Sequence, residues 1–206
     1  MIVSDPKILF VHIPKSAGQS VSKYLQENVG KPYDLNNPEF GFKHNKDLKN
    51  PGPQNTHHLF YREYIDYNWV LDNIDSYFSF AVVRNPYDRF VSAFHWRFEV
   101  FKNHTYESFI ENFSEDFRSD INRHFARQSD FVTRHGTIGV DKIFRLEYDV
   151  PDNFTRFMRK KFGFTKPLGL VNKAHNKKKT PLDRATIDWI NDYYDQDFKL
   201  FGYEKT

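Results

Sequence analysis

The stretch "KILFVHIPKSAGQS" (Lys7–Ser20) decides how this chain is read. Lys7 to Ile13 is a short apolar run rich in β-formers, the pattern of a buried strand. "PKSAG" follows as a turn. "QSVSKYLQEN" (Gln19–Asn28) then sets Val21, Tyr24 and Leu25 on one side of a helix, which Gly30 and Pro32 close. A strand–loop–helix unit aims free backbone N–H groups and the positive helix end at an anion. Lys15 adds a point charge, and Ser16 and Ser20 add hydroxyl donors. The triphosphate loop G-x-x-x-x-G-K-[S/T] is not matched, because Lys15 precedes Gly18, the loop's only glycine. The loop is short for a β/γ-phosphate and suits a smaller, less charged group.

Outward from this unit, "YFSFAVV" (Tyr77–Val83) is a second buried strand. It ends in "RNP", where Asn85 caps a helix and Pro86 takes its first position. That helix is expected over Pro86–Phe101, and more helix over Tyr106–Ala126. "KIFRL" (Lys142–Leu146) is a third strand. Helices are expected at Val150–Phe162, ended by Gly163, and at Leu182–Asp197, with two short ones between Leu59 and Ile74. Lys31–Thr56, rich in Asn, Pro and Gly, reads as an irregular insertion over the active face.

Strands alternating with helices predict an α/β fold with a central parallel sheet flanked by helices, residues 1–206 forming one domain. Ligands of such sheets sit at the carboxyl ends of the strands. Here Lys15 follows the first strand and Arg84 the second, two cations at one edge. Ser92 lies two turns past Asn85 and returns to the capping face, so Arg84 and Ser92 can clamp one phosphate. Arg89 reads as a partner of surface acids such as Asp88 or Glu99. An Mg²⁺-dependent NTPase would place an acid where Arg84 stands.

Composition bounds the rest. A net charge of +3 does not point to nucleic acid, and the absence of cysteine excludes disulfides and thiolate metal sites. No signal peptide or membrane-spanning run is read, so a cytoplasmic location is expected. Asn-x-Ser/Thr triplets at Asn103, Asn112 and Asn153 carry meaning only in a secretory compartment. No HExxH or similar spacing occurs, so no metal site is expected.

"FVHIPKSAGQS" (Phe10–Ser20) followed by "FAVVRNPYDRFVSAF" (Phe80–Phe94) resembles the carbohydrate sulfotransferases of the heparan 2-O-sulfotransferase-like type, including their bacterial members. "THHLFYREY" (Thr56–Tyr64) is similar to that family's His-x-[S/T]-A-x-E segment, with His58 and Glu63 matching. "VDKIFRLE" (Val140–Glu147), "VNKAHNKKK" (Val171–Lys179) and "DFKLFGY" (Asp197–Tyr203) extend the similarity over nearly the whole chain. The family departs from this chain at Ser16, Ala17 and Gln19, where Thr, Gly and Thr are commoner. Leu59–Tyr61 is also bulkier than the family's segment.

The resemblance implies a P-loop NTPase-like, three-layer fold and the co-substrate 3′-phosphoadenylyl sulfate (PAPS), which leaves as adenosine 3′,5′-bisphosphate, without a metal. Lys15, Ser16, Ala17, Gly18, Gln19 and Ser20 would hold the 5′-phosphosulfate, and Arg84 and Ser92 the 3′-phosphate. Lys15 would stabilise the leaving oxygen. His58 would be the base, with Glu63 orienting or replacing it. His57 would touch the acceptor at most, and His12 would fix the loop by a hydrogen bond. The acceptor would be a hydroxyl of a carbohydrate or similar molecule. Trp96 and Tyr106 read as core rather than as sugar platforms. Asn172 and Lys177–Lys179 are further candidates near the nucleotide or the glycan. Two other readings stay open on the residues alone: a P-loop-type kinase, and a non-enzymatic polyanion binder.

Overall fold

A computed structural model of the chain describes residues 1–34, 40, 57–66, 73–98, 104–169 and 181–206. Most of the Lys31–Thr56 insertion, Asn172 and Lys177–Lys179 lie outside the described residues.

The chain opens with two short strands, β1 (Ile2–Val3) and β2 (Ile8–Val11), and then helix α1 (Gly18–Asn28). Helix α2 (Tyr61–Asp66) and a 3₁₀ turn (Ile74–Ser76) lead to β3 (Phe78–Val83) and α3 (Pro86–Phe98). Next come α4 (Tyr106–Glu111), α5 (Asp120–Arg123) and α6 (Gln128–Val132). A hairpin, β4 (Thr133–Arg134) and β5 (Thr137–Ile138), precedes β6 (Lys142–Arg145). Helices α7 (Leu146–Asp149), α8 (Asp152–Phe162), α9 (Arg184–Tyr193) and α10 (Asp195–Phe201) complete the chain.

The central sheet has the order β1-β2-β3-β6. The expected strands β2, β3 and β6 run parallel, with Phe10 beside Phe80 and Val82 beside Phe144. The sheet is not wholly parallel, because β1 adds an antiparallel edge, pairing Ile2 with Leu9. Two residues carry too little pattern to be read as a strand, and β1 forms only because the exposed side of β2 needs partners for its backbone.

Alternate residues of β2 and β3 enter opposite cores. Ile8, Phe10, Phe80 and Val82 pack with Val21, Tyr24, Phe154 and Met158 under α1 and α8. Leu9, Val11, Ala81 and Val83 pack with Phe90, Phe94, Phe125 and Ile190 under α3 and α9. Continuous apolar runs are what a sheet covered by helices on both faces requires.

The segment Tyr106–Ala126 is not one helix. Thr105 caps α4 through a capping box with Ser108. Beyond Asn112, Ser114 and Asp116 side chains take the N–H groups of Asp116 and Arg118, and this local bonding displaces helix. The break sets Asp120, Arg123 and His124 beside the carboxyl end of the sheet. The expected last helix is likewise two, divided at Tyr194.

Candidate active site

Because β2 and β3 are adjacent and parallel, the loops after them leave the same edge of the sheet. Their register places Lys15 and Arg84 together, and an Arg84 Nη1 donates to the Lys15 carbonyl at 3.2 Å. Among the described residues neither cation has a carboxylate within ion-pair distance. Burial, and then the neighbouring Arg84 charge, bring the Lys15 ammonium down from 10.5 to about 8.

Lys15 and Ala17 both adopt left-handed backbone, at φ 68° and 61°. Alternating right- and left-handed residues curl successive N–H groups toward one concave face. Ala17 is the N-cap of α1 and offers no side-chain bond to the helix, whose first turn holds no acid. The helix end therefore keeps its positive potential for a ligand.

The loop is held from behind. The amide of Gln128 accepts from the Arg84 N–H at 2.8 Å and from Ser16 Oγ at 3.4 Å, and donates to the Arg84 carbonyl at 2.7 Å. Asp197 fixes Gln128 in turn, accepting the N–H groups of Gln128 and Ser129 at 2.8 Å each. Ser16 is buried behind the loop, facing Gln128 rather than the cavity, because its hydroxyl is used there. Arg89 is not paired with surface acids. It is buried, and donates to the carbonyls of Pro14, Ala126 and His124.

A cavity of about 700 Å³ opens at this edge. Its wall includes Lys15, Ala17, Gly18, Gln19, Ser20, Arg84, Ser92 and His58, so eight of the ten expected site residues meet there. The Asn85 cap is present, its Oδ1 accepting the Tyr87 N–H at 3.0 Å, and the turn spacing of α3 brings Ser92 to the cavity. Ser16 and Glu63 stand behind the wall.

Glu63 binds Arg123 through both oxygens, at 2.6 and 2.7 Å, and accepts the Phe60 N–H at 2.8 Å. Arg123 Nη1 also donates to the His58 carbonyl at 2.8 Å. Glu63 thus fixes the backbone of His58 through Arg123 and does not touch its ring.

The ring of His58 meets Asp120, with Nδ1 to Oδ1 at 2.8 Å. Donation of Nδ1–H to the carboxylate leaves Nε2 as the basic nitrogen. Burial first, and then His124, His57 and Arg123, hold the His58 imidazole well below its ordinary value of 6.5. Burial likewise lowers His57 and His124 to about 4. His12 sits beside His57 and His58, its ring against Gly18; it supports the loop by packing.

Trp96 is not core. It is 45% exposed, lines the cavity, and stacks on His124 at 3.9 Å with the planes 9° apart. Lys15 Nζ stands 5.5 Å from its ring centroid. Tyr106 is buried as expected. Asp120, Arg123, His124 and Gln128 were not legible as site residues. Their segment has no motif spacing, and only the helix break after α4 turns it inward.

These parts suit transfer of a compact anionic group to an acceptor. No curated protein and no solved structure matches the chain. The profile of the sulfotransferase family matches residues 1–204, nearly the full length. By that match the chain belongs to the sulfotransferase family, enzymes of sulfuryl transfer.

Proposed function

We propose that the protein is a PAPS-dependent sulfotransferase, moving a sulfuryl group to a hydroxyl of a carbohydrate-like acceptor by in-line displacement. The reading rests above all on Lys15 and Arg84. Two cations with no carboxylate partner among the described residues share one cavity with an uncapped helix N-terminus, and this suits an elongated, multiply charged anion. The fold is P-loop-like in this reading, with the loop shortened to fit a phosphosulfate.

Lys15 and the N–H groups at the start of α1 neutralise the charge that gathers on the bridging oxygen as the S–O bond breaks. Arg84 and Ser92 hold the 3′-phosphate. Leu146 and Val150 give the cavity an apolar wall for the base. His58 Nε2 accepts the proton of the attacking hydroxyl, and Asp120 orients the ring and balances the imidazolium that forms. Glu63 acts through Arg123 as a positioning residue. Trp96 offers an exposed ring for the acceptor to stack on.

Thermal shift with adenosine 3′,5′-bisphosphate, AMP and ATP tests the nucleotide half of this reading. Selective stabilisation by the bisphosphate is expected, about 2.7 kcal/mol at a hundredfold excess over Kd. An equal response to AMP removes the basis for Arg84 and Ser92. Mg²⁺-dependent ATP turnover would favour a kinase.

A further inference from the structure

Proton transfer needs one imidazole, and the fold gathers four. His12 follows β2, His57 and His58 precede α2, and His124 follows α5. Ring centroids of His12, His57 and His58 lie 4.8 Å apart in every pairing. Each of these three offers a ring nitrogen, and the three nitrogens lie within 4.8 Å of one another. Nitrogen ligands of a tetrahedral zinc stand about 3.4 Å apart, a spacing that modest ring rotations reach from here.

Three further features point to a ligand. His12 is 5% exposed, and its Nδ1 has no hydrogen-bond partner. A buried nitrogen left so is unfavourable, and a metal would satisfy it. The Nδ1 of His58 is tied to the Asp120 carboxylate, the outer-shell arrangement that orients a metal-binding histidine and raises its basicity. The His58 backbone is held by Arg123, itself locked to Glu63, so part of the trio is rigid before any ion arrives.

A second grouping, His58, Asp120 and His124, has similar spacing. Its polar atoms are already in use: Asp120 Oδ1 serves His58, and His124 Nδ1 meets the Asp120 carbonyl at 2.9 Å. The orphaned nitrogen belongs to His12, which favours the first trio.

We propose that His12, His57 and His58 form a three-imidazole site for a divalent transition metal of the zinc class. Neutral imidazoles suit Zn²⁺ and Co²⁺ over Mg²⁺ or Ca²⁺. The fourth position opens toward the cavity that these residues line. One consequence rests on the proposed function: an ion on His58 occupies the lone pair that the base needs, so Zn²⁺ holds transfer off until it is chelated.

The site is tested without any sulfuryl donor. Metal-free protein is titrated with Zn²⁺ against a chromophoric chelator, and with Co²⁺ by its visible absorption. One equivalent is expected to bind, with the intense bands of a four-coordinate ion. His57→Ala and His12→Gln should weaken binding at least tenfold, whereas His124→Ala should keep it. His57 is only partly buried, so His57→Ala is the variant that keeps its fold; its metal-free melting curve checks this. Failure of the unmodified protein to bind, equal affinity in folded His57→Ala, or loss on His124→Ala alone each overturns the assignment. In the activity arm, Zn²⁺ should suppress PAPS-dependent transfer and a chelator restore it. Stoichiometric binding with undiminished transfer would overturn the inhibitory role and leave the site standing.

Discussion

The ring of His12 lies so close over Gly18 that a β-carbon on Gly18 would fall 1.7 Å from its Nε2. Gly18 is therefore required by contact, not by its backbone angle. Gly18→Ala must evict His12 or shift the loop, and should cost about 1–3 kcal/mol in urea unfolding. Ala17 presents the opposite case, at φ 61° with a β-carbon it does not need. Ala17→Gly should stabilise the protein by about 0.5–1 kcal/mol. No gain would mean that the loop holds the left-handed angle without strain.

The Glu63–Arg123 pair is buried, with side chains 9% and 4% exposed. Glu63→Gln leaves a guanidinium charge uncompensated in the interior. A loss of about 3–5 kcal/mol is expected, read from the denaturation midpoint. A variant of full stability that lost only turnover would put Glu63 in the chemistry instead.

Asp120→Asn keeps the shape beside His58 and removes the charge. Turnover should fall on the order of 100-fold with KM little changed. The acid limb of kcat should also move to lower pH, because the imidazolium loses its counter-charge. In the unmodified enzyme that limb should already lie below 6.5, since His58 is held neutral by burial. An unaltered pH profile in the variant would reduce Asp120 to a packing role.

Lys15 in the free protein titrates at about 8. An anion favours the charged form, so binding of adenosine 3′,5′-bisphosphate takes up a proton as pH rises past that value. Affinity should be flat between about pH 7 and 8, above the second phosphate ionisation at about 6, and then fall by up to about tenfold per pH unit, until the pKa of the complex is reached. Calorimetry in buffers of different ionisation enthalpy reads the proton directly. Lys15→Ala should remove both the proton uptake and the transfer activity.

His12, His57, His58 and His124 all have folded-state values below 6.5. The unfolded chain then binds more protons than the folded one once pH drops under 6.5. The sign makes acid destabilising. In metal-free protein each of the four removes up to about 1.4 kcal/mol per pH unit between 6.5 and its own folded value. Urea midpoints measured from pH 7 to pH 5 should fall steeply. A flat profile would show that the rings charge freely where they stand.

Much of the architecture was legible because it rests on local chemistry. "ILFV" (Ile8–Val11) and "FAVV" (Phe80–Val83) are apolar throughout, and short runs of this kind suit a strand covered on both faces. Lys15 and Arg84 were legible by position, since each follows a strand and the strands pair. The histidine cluster was not. His12, His57, His58 and His124 come from separated segments, and no spacing along the chain announces their meeting. Glu63 shows a related limit: its place in "THHLFYREY" was readable, but its partner Arg123 lies 60 residues away. Arg89 was misread for the same reason, since three carbonyls folded around it leave no trace in the neighbouring sequence.

The burial of Arg89 also bears on how the site breathes. Its guanidinium holds carbonyls at Pro14, His124 and Ala126, joining the loop after β2 to the segment that carries His124. Lifting the loop alone would strand a charged donor in a dry interior. Local opening is thereby opposed, and the bonded amides of Arg84 and Gln128 behind the loop should exchange with deuterium far more slowly than the N–H groups that face the cavity. A ligand must come and go through a mouth whose floor does not move.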